Sequence, residues 1–486
     1  MPFKNYFLLY SILLSTSIIA QIQIGQNING EAAADASGHM VALNVDGTIV
    51  AISAITNDGN GSNAGHVRIY GNQGDNWVQL GQDIDGEQQG ELFGSAISIN
   101  GSGTIVAIGY PSNDSQNGRV KIYEYDSSTD AWNQLGQTIV ATNIKLGRSV
   151  SLSGSGDIIA IGATEFGPTE VGQIRVYQNI NGSWVPLGQF IEGDVDFGKL
   201  GQSLSLSADG NTFVAGAPGF NEGYAKVYSL QNGNWLQVGN TIDGIIDDRS
   251  TGRALSLNSN GSIIAIGDPD NDTIGNNSGQ VRMYENQGNS WVQIGLGING
   301  TADGDRFGSA LSLNSDGTIV VIGSRNNDDS AIDAGKTSAY RLIGDDWNLL
   351  GQSILGSAED DLFGWAVSID ASGLVIAASA PGNDDNGVSA GQVRMFDLSS
   401  TLSTSTKDSI NFDIAILKNE LTISNFQKYH LTNIQLYDMT GRQVLMQDLN
   451  GNPSQIKYNL SFLNTGVYLL KINTPERYLI QKIIRN

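Results

Sequence analysis

The sequence predicts an all-β protein made of seven repeated units, and three observations support this prediction. Glycine is abundant, with 61 copies in 486 residues, which is typical of chains that contain many tight turns. Tryptophan is rare but recurs within a Trp-x-x-Leu-Gly-Gln pattern. A Phe-Gly pair followed by an alternating apolar run shares the same period. Repeats of about 50 residues indicate an array of small sheets arranged side by side.

The tryptophan pattern marks the end of each repeat. Its copies are spaced 51 to 56 residues apart and begin at Trp77, Trp132, Trp184, Trp235, Trp291 and Trp347. The Phe-Gly mark begins at Phe93, Leu146, Leu200, Phe307 and Phe363, with weaker copies at Ser37 and Thr251. Asp-Gly turns such as Asp46-Gly47 join the first two apolar runs, which is a strong hairpin signal. Four strands in each of seven repeats predict a seven-bladed β-propeller.

The two ends of the repeat region predict how the ring closes. The seventh repeat stops after Phe396 and lacks its tryptophan strand. The segment from Ile22 to Gln26, which reads Ile-Gln-Ile-Gly-Gln, matches the missing strand. We therefore expect the N-terminal strand to complete the last blade. Closure of this kind removes the open sheet edges that would otherwise promote aggregation.

Residues 1–20 are predicted to be a signal peptide. Lys4 supplies a short basic start, and the run from Tyr6 to Ala20 is apolar or small, with cleavage expected after Ala20. No other run is long and apolar enough to cross a bilayer, so we expect no transmembrane segment in the mature chain.

Charge and composition narrow the classes of partner. The formal net charge is −23, although residues 401–486 carry more basic than acidic side chains. An acidic surface repels phosphate backbones, so nucleic acid is not expected as a partner. The chain has no cysteine, which excludes disulfides, thiolate metal sites and a cysteine nucleophile.

A second domain is predicted after the repeats. The propeller is expected to span residues 21–398, and residues 399–407 form a Ser/Thr-rich linker. Short alternating runs then indicate a small β-sandwich over residues 408–486. The predicted strands are Leu421–Ser424, Asn433–Tyr437, Gln443–Met446, Ile456–Leu460, Val467–Ile472 and Tyr478–Ile484.

The repeats resemble the FG-GAP repeats of integrin α-subunit propellers. The resemblance rests on the Phe-Gly marks and on Gly-Ala-Pro-like turns such as Gly216-Ala217-Pro218, and it covers about residues 22–398. The first hairpins here are tight turns without the Asp-x-Asp-x-Asp-Gly loop of that family. The calcium sites of the family are therefore not carried over to this chain.

The C-terminal residues resemble a known sorting domain. The motif residues are Gly441, Gly466, Tyr468 and Lys482. Together with their flanking runs they resemble the C-terminal sorting domain of the type IX secretion system of Bacteroidetes. The resemblance implies that residues 408–486 engage the type IX machinery. It also implies export through the periplasm to the outer cell surface or the medium.

Candidate site residues are few. No catalytic residue is predicted, and no cofactor is expected beyond a hypothetical calcium ion at Asp268, Asp270 and Asp272, whose alternating carboxylates suit that ion. Trp365 is the candidate ligand-binding residue, because the residue after Phe-Gly is polar in the other repeats. An indole in that column suits stacking on a sugar or peptide, although packing within one blade also explains it.

Two further sets of charged residues favour structural interpretations. Turn capping explains the carboxylates that precede the Phe-Gly mark, although an ion or glycan site is an alternative. These carboxylates belong to Asp35, Glu91, Asp305 and Asp361. Packing between blades explains the basic residues at one position of the third strand; they are Arg68, Lys121, Arg175, Lys226, Arg282 and Arg394.

The expected function is that of a cell-surface or secreted binding and adhesion module for a glycan or protein ligand. Two alternatives stay open at this point. One is a secreted polysaccharide hydrolase or lyase that uses loop carboxylates, and the other is a structural surface or matrix protein. The near-uniform repeats favour a protein without enzymatic activity but leave that question open.

Deletion of residues 408–486 is expected to leave the propeller folded but to retain it inside the cell, because the sorting sequence is lost. The measurement is the partition of the chain between cells and medium, with the full-length chain as control. Export of the truncated chain at the full-length level would contradict the sorting role.

Overall fold

The computed structural model describes residues 21–111, 117–142, 144–219, 222–245 and 250–399 of the repeat region. In the C-terminal region it describes residues 413–417, 420–424, 433–438, 443–448, 455–463, 466–473 and 478–485. The predicted signal peptide and all of the predicted linker except Ser399 lie outside these ranges. The chain forms two compact units, Met1–Leu402 and Ser403–Asn486.

The first unit contains seven antiparallel sheets of one design. In blade 1 the strands are β3 (Ser37–Leu43), β4 (Ile49–Ala54), β5 (His66–Asn72), β6 (Trp77–Gln79) and β7 (Ile84–Asp85). Strand β4 occupies one edge of β5, and the short strands β6 and β7 share the other edge. Each blade therefore has four strand positions, with the fourth split in two.

Blades 2 to 6 repeat this order. Blade 2 contains β8 (Ala96–Ile99), β9 (Ile105–Tyr110), β10 (Arg119–Asp126), β11 (Ala131–Gln134) and β12 (Ile139–Val140). Blade 3 contains β13 (Leu146–Leu152), β14 (Ile158–Ala163), β15 (Gln173–Ile180), β16 (Ser183–Pro186) and β17 (Ile191–Glu192). Blade 4 contains β18 (Ser203–Leu206), β19 (Thr212–Ala217), β20 (Tyr224–Gln231), β21 (Asn234–Gln237) and β22 (Ile242–Asp243). Blade 5 contains β23 (Ala254–Leu257), β24 (Ile263–Asp268), β25 (Gln280–Asn286), β26 (Trp291–Gln293) and β27 (Ile298–Asn299). Blade 6 contains β28 (Phe307–Leu313), β29 (Ile319–Ser324), β30 (Lys336–Ile343), β31 (Asp346–Leu349) and β32 (Ile354–Leu355).

Blade 7 is completed by the N-terminus, as the sequence predicts. It combines β33 (Val367–Ile369), β34 (Val375–Ala380) and β35 (Gln392–Asp397) with β1 (Ile22–Gln23) and β2 (Ile28–Asn29). Ile22 pairs with Asp397, and Ile28 pairs with Val393. The inner strands β3 and β33 are in contact, so the ring is closed. The prediction of a seven-bladed propeller is confirmed.

The hydrophobic core lies between blades rather than inside each one. Buried residues of blades 2 and 3 share one cluster, which includes Val120 and Ile161. Blades 7 and 1 share another, which includes Ile52 and Met395. Apolar side chains on both faces of the middle strands are therefore buried by the two neighbouring blades.

The repeated tryptophan connects each outer strand to the preceding blade. The indole Nε1 of Trp132 donates a hydrogen bond to the Leu80 carbonyl at 2.9 Å. The side chain of Gln82 bonds both the amide and the carbonyl of Trp132. The same contacts join Trp77 to Ile24 and to Gln26 across the closure. The Trp-x-x-Leu-Gly-Gln pattern is thus a contact between neighbouring outer strands.

The first hairpins form a second connection, close to the axis. Each blade donates a backbone N–H to a carbonyl of the next, and the seven bonds form a closed circle with N···O distances of 2.8 to 3.1 Å. In order, the donors are Val45, Gly101, Gly154, Ala208, Ser259, Ser315 and Ala371, and Ala371 returns to the Val45 carbonyl.

The second unit consists of two sheets around one core. The three-stranded sheet contains β36 (Asp413–Leu417), β37 (Glu420–Ser424) and β40 (Gln455–Asn459). The four-stranded sheet contains β38 (Asn433–Asp438), β39 (Gln443–Asp448), β41 (Gly466–Asn473) and β42 (Tyr478–Arg485). Both sheets supply buried residues to the same cluster, which includes Leu421, Ile456, Leu436 and Leu470. The predicted small β-sandwich is confirmed.

Removal of Ile22 to Gln26 from a chain that begins at Gln21 is expected to lower the unfolding midpoint in urea. The deletion removes an outer strand and the Gln26 contact with Trp77, and each net hydrogen bond contributes about 1 kcal/mol. All seven tryptophans lie between residues 77 and 365, so their fluorescence reports on the first unit alone. An unchanged midpoint would contradict closure by the N-terminal strand.

Candidate ligand-binding site

Among the described residues, cavities lie on the central axis at both ends of the inner strands. Residues from all seven blades line both, which places both on the axis. The smaller cavity, about 210 Å³, lies against the first hairpins and their closed circle of hydrogen bonds. The larger one, about 440 Å³, lies at the opposite end, where the inner strands begin. We call the larger cavity the open mouth.

Seven equivalent residues surround the open mouth, one from each blade and each following the Phe-Gly mark. They are His39, Ser95, Arg148, Gln202, Arg253, Ser309 and Trp365. The local backbone explains their direction. Phe363 is fully buried, and Gly364 has a φ of +86°, a conformation that glycine adopts without strain. A Cβ at Gly94 would lie 2.7 Å from the Ser53 Cβ, so the close approach of strands also requires glycine here.

Trp365 lies in the open mouth beside two other side chains. Its ring centroid is 5.8 Å from that of His39, with an interplanar angle of 46°. The Arg325 guanidinium carbon lies 4.6 Å from the centroid of the Trp365 ring. Trp365 is half-buried and also packs against the core that blades 7 and 1 share. The structure therefore gives this residue both a packing contact and a place at the cavity.

Three arginines make the open mouth positive. Arg148 and Arg253 belong to the seven equivalent residues, and Arg325 follows β29. Burial and the charge of Arg253 lower the pKa of Arg148. Burial also lowers the pKa of Arg325, together with the charges of Arg253 and Arg306 and against the opposing effect of Asp270. Arginine stays protonated at neutral pH, so the three guanidinium groups bring positive charge to the open mouth.

Hydrogen bonds orient part of this group. With its amide in the orientation that satisfies both side chains, Gln202 accepts hydrogen bonds from Arg148. Arg306 donates to Asp270 at 2.8 Å, while Arg253 lies 3.9 Å from the same carboxylate. Within the described ranges, neither Arg148 nor Arg325 forms an ion pair.

His39 is neutral at physiological pH. Burial lowers its pKa from 6.5 to about 4, and the Arg148 charge adds to this effect. The positive charge of the open mouth therefore comes from arginines alone.

The predicted calcium residues are engaged by other groups. Asp268 is fully buried and pairs with Arg282 at 2.8 Å. Asp270 pairs with Arg306, and Asp272 accepts a hydrogen bond from the Asn277 amide at 2.6 Å. The structure thus directs these three carboxylates to three different partners, an arrangement that does not favour a shared ion.

The carboxylates before the Phe-Gly mark cap turns. Asp361 accepts hydrogen bonds from the Ser357 and Ala358 amides, each at 2.9 Å. Asp305 accepts hydrogen bonds from the Ala302 amide and from the Asn327 side chain. Asp35 and Glu91 accept from backbone amides of their own loops. All four are buried, at 8% exposure or less.

The basic side chains of the third strands meet acidic or aromatic neighbours. Ion pairs join Lys121 to Glu87, Lys226 to Asp194 and Arg282 to Asp268. Arg175 lies over the Phe190 ring, and Arg394 lies over the Phe363 ring.

In the part of the chain that the structure describes, one acidic group with a histidine could formally hold a metal ion. Glu31, His66 and Asp83 place their ligand atoms within 4.8 Å of one another. The Arg68 guanidinium already bridges the two carboxylates, at 2.6 Å from Glu31 and 2.5 Å from Asp83. An arginine therefore supplies the positive charge at this position.

The sorting-motif residues fall in the four-stranded sheet where they are described. Gly466 begins β41, and Tyr468 in the same strand is buried. Lys482 lies in β42, opposite Leu469. Gly441 lies outside the described residues.

A family comparison decides the role of the second unit. Residues 417–486 match the family described as the secretion system C-terminal sorting domain. This segment is a sorting domain. The sorting domain directs export by the type IX system, so the protein is released or attached at the outer surface. Among the described residues, no helix has the length and apolar character needed to span a bilayer.

The solved structures similar to the chain are distant. A hydrazine synthase structure from Kuenenia stuttgartiensis has a TM-score of 0.49 at 12% identity, and the match covers 73% of this chain and 94% of that one. A proposed 6-phosphogluconolactonase from Bacteroides uniformis has a TM-score of 0.47 at 13% identity, with 87% and 99% covered. These values carry no argument about activity. No curated protein matches the chain.

Sequence reasoning missed Arg325. The equivalent position holds proline in the blades that carry Pro218, Pro269 and Pro381. The break in this Gly-Ala-Pro-like turn was the available signal.

Acid should destabilise the first unit through His39. Its folded pKa of about 4 lies below the unfolded value of 6.5. The unfolded state therefore binds a proton first as pH falls from 6.5 to 4, and the free energy of unfolding drops by up to about 3 kcal/mol. His39→Gln places the side chain found at Gln202 and should reduce this pH dependence, leaving the part that His66 contributes, since burial lowers the His66 pKa as well. Urea unfolding followed by tryptophan fluorescence gives the free energy of unfolding of both chains at pH 7 and at pH 5. An equal loss of this free energy between the two pH values in both chains would contradict the assignment to His39.

Proposed function

We propose that the exported propeller is a binding and adhesion module that holds an extracellular glycan or protein ligand at its open mouth. One observation carries the proposal. Seven structurally equivalent positions hold five different kinds of side chain, and all face one cavity. Positions that serve the fold repeat their residues, as the outer tryptophans do. Variation among equivalent positions that line one cavity therefore supports recognition rather than folding.

The scaffold suits this role. The circle of hairpin hydrogen bonds and the outer tryptophan contacts make the ring rigid, and rigid scaffolds position variable residues for binding. A volume of about 440 Å³ lies within the usual range for ligand pockets. Trp365 adds an aromatic surface where its six counterparts are polar or charged.

We further infer the export route and the kind of repeat. Residues 1–20 act as a signal peptide for passage to the periplasm, and the sorting domain then completes export. The blades are of the FG-GAP type found in integrin α-subunits, which supports an adhesion role by analogy. The propeller spans residues 21–398, followed by a linker and the sorting domain from residue 408.

The hydrolase alternative finds less support. Such enzymes need two carboxyl groups about 5 to 10 Å apart that are free to act as acid and base. Asp35, Asp305 and Asp361 instead accept backbone hydrogen bonds in turns. We therefore place binding ahead of catalysis.

Trp365→Ala should weaken binding of the purified full chain to a panel of polysaccharides and matrix proteins at least tenfold, since an aromatic contact and its buried area contribute about 1.5 kcal/mol or more. Val388→Ala is the matched control, because Val388 is 71% exposed and does not line the open mouth. Circular dichroism verifies that both variants fold. Cleavage of a panel member would favour an enzyme, and silence across the panel would favour a structural role.

A further inference from the structure

The open mouth gathers positive charge in a chain that is otherwise strongly acidic. The formal net charge is −23, yet Arg148, Arg253 and Arg325 come from three different blades to one cavity. None of the three is needed to repeat the fold. Other blades place histidine, serine, glutamine or tryptophan at the position of Arg148 and Arg253, and isoleucine, threonine or proline at the position of Arg325. The cluster therefore calls for an explanation outside folding.

Among the described residues, Arg148 and Arg325 have no carboxylate within ion-pair distance, whereas four of the six basic residues of the third strands do. These four are Arg68, Lys121, Lys226 and Arg282. In the part of the chain that the structure describes, Arg148 has a glutamine partner and Arg325 has an aromatic one. Arg253 lies 3.9 Å from Asp270, whose nearer partner is Arg306 at 2.8 Å. Like charges held together in a half-buried cavity favour an anion between them.

The remaining side chains of the cavity indicate what carries that anion. Ser95, Ser309 and Gln202 offer hydroxyl and amide groups that both donate and accept hydrogen bonds. Sugar hydroxyls require partners of that kind on several sides. Trp365 adds the one large aromatic surface, part of which Arg325 covers. A planar guanidinium binds a carboxylate or a sulfate through paired hydrogen bonds.

We infer that the open mouth binds an acidic sugar residue of an extracellular polysaccharide, with Arg148, Arg253 and Arg325 holding its anionic group and Trp365 contacting its ring. This inference rests on the proposed function and names its ligand class. The acidic exterior repels a polyanion in general, so binding concentrates at the positive open mouth. A sugar chain held there would keep its neighbouring residues in solvent.

The test is calorimetric titration of the purified full chain with trigalacturonate, its methyl ester and a sulfated galactose trisaccharide. The methyl ester keeps the sugar rings and removes the negative charges. Trigalacturonate should bind at least tenfold more tightly than its ester, because charge-assisted hydrogen bonds are lost in the ester. Tighter binding of the sulfated sugar would keep the anionic-sugar inference and assign the group as sulfate.

Variants separate the arginines from general charge. Arg148→Gln and Arg325→Gln should each lower the affinity for the preferred acidic trisaccharide about tenfold. Arg175→Gln is the matched control, since it removes one positive charge from an arginine that lies over Phe190 and outside the cavity. Equal losses in all three variants would overturn the inference. Thermal melting verifies that the variants remain folded.

Other outcomes distinguish this inference from the proposed function. Equal binding of trigalacturonate and its ester, with loss in Trp365→Ala, would overturn the acidic ligand and leave a glycan-binding module standing. Preference for poly-glutamate over every sugar would overturn the sugar and favour an acidic peptide. Lack of binding by all these probes, with binding of another panel member that Trp365→Ala does not affect, would overturn both.

Discussion

The closed circle of backbone hydrogen bonds between the first hairpins is the constraint on which the rest of the molecule depends. Each of its seven bonds needs the next blade in place, and the last returns from Ala371 to Val45. The circle therefore cannot form unless blade 7 meets blade 1, and blade 7 in turn needs the N-terminal strand. At the rim, the tryptophan and glutamine contacts likewise join the outer strand of each blade to that of its neighbour. Ring closure thus links the two ends of a long chain.

Closure of the ring also brings the residue after each Phe-Gly mark to the central axis. The Phe-Gly mark buries an apolar side chain between blades, and the glycine with positive φ lets the following residue face the cavity. The fold is indifferent to what that residue is, so seven copies of the position can carry seven independent choices. Two of these positions hold arginine, and Arg325 from the end of β29 joins them, which makes the open mouth of an acidic protein positive.

Much of the fold could be predicted because the contacts that build it recur. The spacing of the tryptophans predicted the number of blades. The segment from Ile22 to Gln26, which matches the strand that the seventh repeat lacks, predicted how the ring closes. The candidate site was predicted only in part. Trp365 stood out as a departure from its column, whereas the pairing of Asp268 with Arg282 and of Asp270 with Arg306 was missed. Those ion pairs join residues that are well separated in the sequence, so no local sequence pattern predicts that they are close in space.

The sequence by itself determined the repeat, the number of blades, the closing strand and the sorting domain, because each depends on local periodicity or on a contiguous motif. Only the tertiary structure decided which charges meet. Arg148, Arg253 and Arg325 are separated by up to 177 residues in the chain, and the ring alone brings them to one cavity. The same ring assigns the loop carboxylates to arginines and backbone amides. Electrostatic interactions depend on distance in space, which becomes defined only when the first and last blades join.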